Sequence, residues 1–161
     1  MSRRLLMKTK GIMGIFATVD EAGKTHARPI HITAANEDGI FFMTGSETHF
    51  YRQLIEDGHV ALSVLSEEEY LIQVIRIEGK ARLVSQELLD KGFSDNDYIQ
   101  HVYKDEESWK VMQIFRVYAG DGFYHSLTRG HKYVFNINGG ESQVRTILKG
   151  KFYLHRYSML Y

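Results

Sequence analysis

The stretch that most constrains this chain is residues 39–59, GIFFMTGSETHFYRQLIEDGH. Residues 40–43 form an apolar run of strand length behind the turn pair Asp38-Gly39. Thr44-Gly45-Ser46 breaks that run. From Glu47 the spacing turns helical, with Phe50 and Leu54, and Tyr51 and Ile55, on adjoining stripes of one face. Gly58 suits the left-handed position after the last turn. A strand, a small-residue turn and a helix start together make a device for anions. The first amides of a helix have no internal partner, and the aligned peptide dipoles concentrate positive charge there. Thr44, Ser46 and Thr48 bring hydroxyls to the same spot, a pattern that plain helix capping shares.

Around this stretch the chain reads as mainly β. Residues 11–20 and 25–34 make a hairpin across the turn at 21–24, and 59–65 and 70–84 are further strands. Pro29 cannot donate to a ladder, so it belongs at an edge or a bulge, where open backbone can face a ligand. Strand alternation sets Arg28 on one face with His26, Ile30 and Ile32. Gly79 marks a bend or bulge, and Arg76, Glu78, Lys80 and Arg82 alternate with Ile75, Ile77, Ala81 and Leu83 as wet and packed faces. Ser85 caps a short helix at 86–91, a second follows at 94–103, and 104–108 is a polar loop. Strands resume at 109–119, 123–127 and 131–137, with turns at 120–122 and near Arg129-Gly130. The pieces at 143–148 and 152–157 form either a closing hairpin or a partner-binding arm. Short hairpins with helices after the third and fifth strands describe a small antiparallel barrel with an anion-ready helix start at its mouth.

Composition removes several functions. The 161 residues suit one domain. Twenty Lys and Arg balance twenty Asp and Glu, which argues against nucleic-acid binding by bulk charge. With no cysteine there is no disulfide, iron–sulfur cluster, thiolate zinc site or cysteine nucleophile. No apolar run approaches the roughly 20 residues that cross a bilayer, and the start lacks the apolar core of a signal peptide, so the expectation is a cytoplasmic protein with no membrane partner. None of the eight histidines forms a His-x-x-x-His pair, and no metal is expected.

The succession GIFATVD at 14–20, HARPI at 26–30, IFFMTG at 40–45, Gln53-Leu54, HVAL at 59–62 and IEGKA at 77–81 resembles the FMN-binding split-barrel family, the pyridoxamine 5′-phosphate oxidase-like group. The resemblance covers residues 11–137 and implies a split antiparallel β-barrel of FMN-binding type. It divides the chain into a domain at 1–138 and a C-terminal extension at 139–161. It also implies a homodimer with FMN in clefts between the subunits. Arg28, Pro29, Ile30 and His31 would contact ring and phosphate, Met43 and Thr44 the flavin, and Thr48 and His49 the phosphate. Arg52 is a supporting cation. The implied activity is oxidation or reduction of a small molecule by hydride transfer at flavin N5, with no side-chain general base assigned. The alternative is a non-catalytic flavin or haem carrier or sensor on the same fold.

One departure stands out. Family members commonly carry a basic pair at this helix start, where this chain has His49-Phe50. Losing a lysine there removes a charge-assisted contact worth about 1.5–3 kcal/mol. Arg28, Arg52 or a cation from a partner chain is the candidate to offset it. The wider basic set that holds a second phosphate in pyridoxamine phosphate oxidases is also missing, so oxidation of vitamin B6 is not expected.

Overall fold

A computed structural model describes residues 12–36, 38–68, 70–84, 105–138, 143–148 and 151–155. Strands β1 (Ile12–Val19), β2 (Thr25–Asn36) and β3 (Gly39–Gly45) lead into helix α1 (His49–Glu56). Strands β4 (His59–Glu68) and β5 (Leu71–Leu83) follow, then the short helix α2 (Glu106–Lys110). The chain continues through β6 (Met112–Ser126), β7 (Lys132–Asn138), β8 (Gln143–Leu148) and β9 (Lys151–His155).

All pairings are antiparallel, in the order β3-β2-β1-β4-β5-β6-β7-β8-β9, and β6 pairs back onto β3. That last pairing closes six strands into a barrel, which removes the open edges a flat sheet would leave. The barrel splits along β6. Its first half, through Val117, lies between β3 and β5, while the half beyond Tyr118 lies between β5 and β7. β8 and β9 pair on from β7, beyond the closed barrel.

The split is built on two glycines. Gly79 and Gly120 face each other across β5 and β6, and the register slips beside them, leaving Tyr118 unpaired. A Cβ on Gly79 would come within 2.2 Å of the Ala119 carbonyl oxygen, and one on Gly120 within 2.5 Å of that of Glu78. Residues 120–122 are therefore strand and not the expected turn: their glycines serve close approach of two strands. The turn comes at 127–131, where Ser126 accepts from the Gly130 amide.

The core is aromatic. Phe42 sits 4.6 Å from Phe16, 5.6 Å from Phe50 and 5.8 Å from Phe115, ring centre to ring centre. Phe50 and Leu54 carry α1 into one end of the barrel. Ile55, expected on the packed face, is exposed, and Leu83 is also exposed.

The helix starts two residues later than its spacing suggested, because Thr44 and Gly45 still pair with Gln113 and Met112 of β6. Gly58 takes the expected left-handed conformation, with φ 76°. β4 runs on into the connector expected from residue 66. Part of the 104–108 loop is helical, because Asp105 caps α2 by accepting the Ser108 amide, so Trp109 and Lys110 belong to the helix and not to a strand. The helices expected at 86–91 and 94–103 lie outside the described residues.

Candidate functional site

The site is assembled where β1 and β2 pass the inner face of α1. Pro29 pairs with Ile15 of β1, but β3 joins β2 only from Ile32 onward. Pro29 therefore sits where β2 has one neighbour, an edge that tolerates its missing donor. The bulge in β2 lies between Ile32 and Ala34.

Alternation about this edge sends neighbours to opposite faces. Arg28 turns into the barrel end. Its guanidinium donates from Nη1 to Thr18 Oγ1 at 2.6 Å and from Nη2 to Gln53 Oε1 at 3.1 Å, and it lies 4.5 Å from the centre of the Phe50 ring. Ile30 packs against the core. Pro29 and His31 belong to the other face, opposite Ile15 and Met13 of β1. Burial lowers the pKa of Arg28 and of His31, since both lose hydration of the charged form. Neither ion pair among the described residues involves Arg28, so its charge is half-buried among neutral groups.

The helix start is held by hydroxyls. Thr48 is the N-cap, in extended conformation (φ −81°, ψ 153°), and its Oγ1 accepts the Tyr51 amide at 3.0 Å. Thr44 Oγ1 reaches Thr48 Oγ1 at 2.9 Å, so strand end and helix start are tied together. The amides of His49 and Phe50 remain among the first-turn donors that a helix cannot satisfy internally. On the exposed side of α1, Arg52 donates to His49 Nδ1 at 2.9 Å. Met43 goes elsewhere, into a second cluster with Phe41, Met112 and Ile114.

Arg28, Thr44, Thr48, His49 and Arg52 thus gather on or against α1. Ile30 lies deeper, Pro29 and His31 lie across β2, and Met43 lies across β3. Two residues that sequence reasoning missed complete the arrangement. Gln53 and Thr18 are 7% and 3% exposed and bond to each other at 2.6 Å. The available signal was a polar residue, Gln53, between Phe50 and Leu54 on the apolar stripe of the helix.

A hollow of about 320 Å³ beside α1 is lined by His49, Arg52 and Gln53 with Asp20, Glu21 and Glu56. Asp20 organises its rim, accepting His26 Nε2 at 2.8 Å and the amides of Lys24 and Ala22 at 2.9 and 3.0 Å. These bonds, that of His26 foremost, hold the Asp20 carboxyl below its ordinary range. A larger hollow of about 560 Å³ lies over the outer barrel face, bounded by Ala17, Val19, Ala61, Glu78, Lys80 and Gly120. Among the described residues, no three His, Asp or Glu side chains converge as a metal would require, and no helix is long and apolar enough to cross a membrane.

Residues 8–126 match the family model described as pyridoxamine 5′-phosphate oxidase. A pyridoxine/pyridoxamine 5′-phosphate oxidase of Burkholderia mallei is 36% identical over 78 residues, which is 48% of this chain and 36% of that protein. The chain therefore spans little more than a third of that relative's length. Among solved structures, a NimC/NimA family protein of Clostridium acetobutylicum superposes with a TM-score of 0.64 at 17% identity, over 77% of this chain and 82% of the other. A pyridoxamine 5′-phosphate oxidase-related, FMN-binding protein of Nostoc punctiforme superposes at 0.60 and 15% identity, over 84% and 87%.

Proposed function

Because this chain belongs to the pyridoxamine 5′-phosphate oxidase family, we propose that it is an FMN-binding oxidoreductase acting on a small molecule. The observation that carries the reading is Arg28: a half-buried cation beside a helix N-terminus, whose contacts among the described residues are Thr18, Gln53, the Phe16 carbonyl and the Phe50 ring. An uncompensated buried charge favours an anionic ligand. The residues present suit a phosphate monoester. Arg28 supplies charge, the first-turn amides supply donors, the Thr44 and Thr48 hydroxyls, bonded to each other and to the Gly45 carbonyl, hold those amides in place, and Arg52 and His49 stand on the solvent side. Pro29 and His31, at the open edge of β2, are the residues proposed to meet the flavin ring, with Ile30 and Met43 behind them in the two core clusters. FMN when bound supplies hydride exchange at N5. The chain's own part is to fix the phosphate, exclude water and shape the substrate pocket.

The partner proposed is a second copy of this chain, seated on the outer face of β1 and β4, where Ile15 is 49% and Leu65 62% exposed. Glu78 and Lys80 flank that face and give opposite charges to a two-fold mate. The cysteine-free sequence suits the reducing cytoplasm, the location proposed. Oxidation of vitamin B6 is not part of the proposal.

The test is an absorption spectrum after FMN addition and dialysis. A retained flavin spectrum is expected, and Arg28→Ala combined with Thr48→Ala should weaken FMN binding about 10–100-fold. Unchanged affinity in that variant would remove the site assignment. A non-catalytic flavin carrier is the competing reading, favoured because the contacts of Arg28 among the described residues include no acid or base. Turnover of a nicotinamide donor with an electron acceptor separates the two, since a carrier gives none.

A further inference from the structure

Thr18, Arg28 and Gln53 form a closed triangle whose hydrogens have one arrangement. A guanidinium only donates, so Thr18 Oγ1 must accept from Arg28 and pass its own hydrogen to Gln53 Oε1. The same Oε1 accepts from Arg28 Nη2, which fixes the amide with its oxygen toward both. Two elements far apart in sequence thereby clamp one cation, and the clamp carries no charge. That neutrality is chemically pointed. Glutamate is nearly isosteric with glutamine and would be the ordinary partner of a buried arginine, yet it would cancel the charge on the spot. The clamp thus fixes the direction of the guanidinium without spending its charge.

We propose that Gln53 and Thr18 are positioning residues that hold Arg28 as an uncompensated cation, and so make the site select a ligand bearing a phosphate over the same ligand without one. This rests on the reading of Arg28 as the phosphate's cation. The ligand class is a phosphate monoester on a planar ring system, and the discriminating pair of probes is FMN against riboflavin.

The experiment titrates FMN and riboflavin into the full-length protein by flavin fluorescence, for wild type, Arg28→Ala, Gln53→Glu, Thr18→Val and Thr18→Ser, with a urea unfolding curve for each. Gln53→Glu is expected to remain folded, with a urea midpoint at or above that of wild type, and to lower the FMN-to-riboflavin preference about tenfold or more. Thr18→Val should lower the preference and Thr18→Ser restore it, which loss of packing alone would not do. Should Gln53→Glu fail to fold, the two Thr18 variants decide. An unchanged preference in folded Gln53→Glu, while Arg28→Ala abolishes it, overturns the positioning role and leaves the phosphate reading standing. A preference that survives Arg28→Ala, or wild type that binds neither flavin, overturns both.

Discussion

Phe50 stands at the helix start where the family resemblance leads one to expect a basic residue, and its ring is fully engaged. It lies 5.6 Å from Phe42, 6.2 Å from Phe16 and 4.5 Å from the Arg28 guanidinium. Restoring a cation is therefore not a simple gain. Phe50→Lys removes core contacts and sets an ammonium beside a guanidinium in a low-dielectric interior, at an expected cost of about 3–5 kcal/mol. A urea titration should show that loss with no tightening of FMN. A stable variant with tighter FMN would mean that the ring does not fill the barrel end. Asp20 gives a second prediction at this scale. Its carboxyl is depressed in the folded state relative to 3.8, so its stabilising contribution is complete above that value and is lost as pH falls through the lower folded value. Asp20→Asn keeps an acceptor for the turn amides but not the charge facing His26. Its melting temperature should lie below that of wild type at pH 7 and converge with it as acid carries the pH below the depressed folded value of the carboxyl. Parallel curves across that range would show that the His26 contact contributes nothing.

At the scale of elements, β6 decides the architecture, and Gly120 decides β6. With φ 155° and Glu78 and Gly79 backbone atoms at 2.5 and 2.7 Å from a notional Cβ, Gly120→Ala cannot be absorbed without parting β5 from β6. A loss of about 1–3 kcal/mol is expected in chemical denaturation. An unperturbed midpoint would mean that the strands separate there at no cost. This glycine also shows what a linear reading can reach. Gly-Asp-Gly carries turn chemistry, and nothing nearby says that its glycines answer Gly79 on another strand. The hairpin of β1 and β2 and the edge proline were legible, because each is fixed by local chemistry. Where α1 begins was not, since cross-barrel pairing of Thr44 and Gly45 overrides the local break. For the site, the helix start announced itself through Thr44 and Thr48. The environment of Arg28 did not, because Thr18 and Gln53 lie 35 residues apart and meet only once the barrel is closed.

At the scale of the whole molecule, the closed barrel turns an apolar stripe outward as well as inward. Odd-numbered β1 residues face out, and Met13, Ile15 and Val19 stay exposed there, alongside Leu65 of β4. A stable isologous interface buries about 800 Å² on each partner, and apolar side chains at its centre supply most of the affinity. Ile15 sits mid-strand between Pro29 on β2 and Ser63 on β4, so a charge there strikes the middle of the stripe. Ile15→Glu should leave the fold within about 0.5 kcal/mol of wild type, because the side chain is exposed within the chain itself. Yet it should shift the sedimentation coefficient from that of a dimer to that of a monomer. If FMN lies between subunits, flavin retention on dialysis should fall with it, although Ile15 touches none of the groups around Arg28. A wild-type monomer, or a variant that sediments as wild type does, would leave the outer stripe without the proposed partner. Loss of dimer with full flavin retention would instead place the cofactor within one chain and confine the second copy to a structural role.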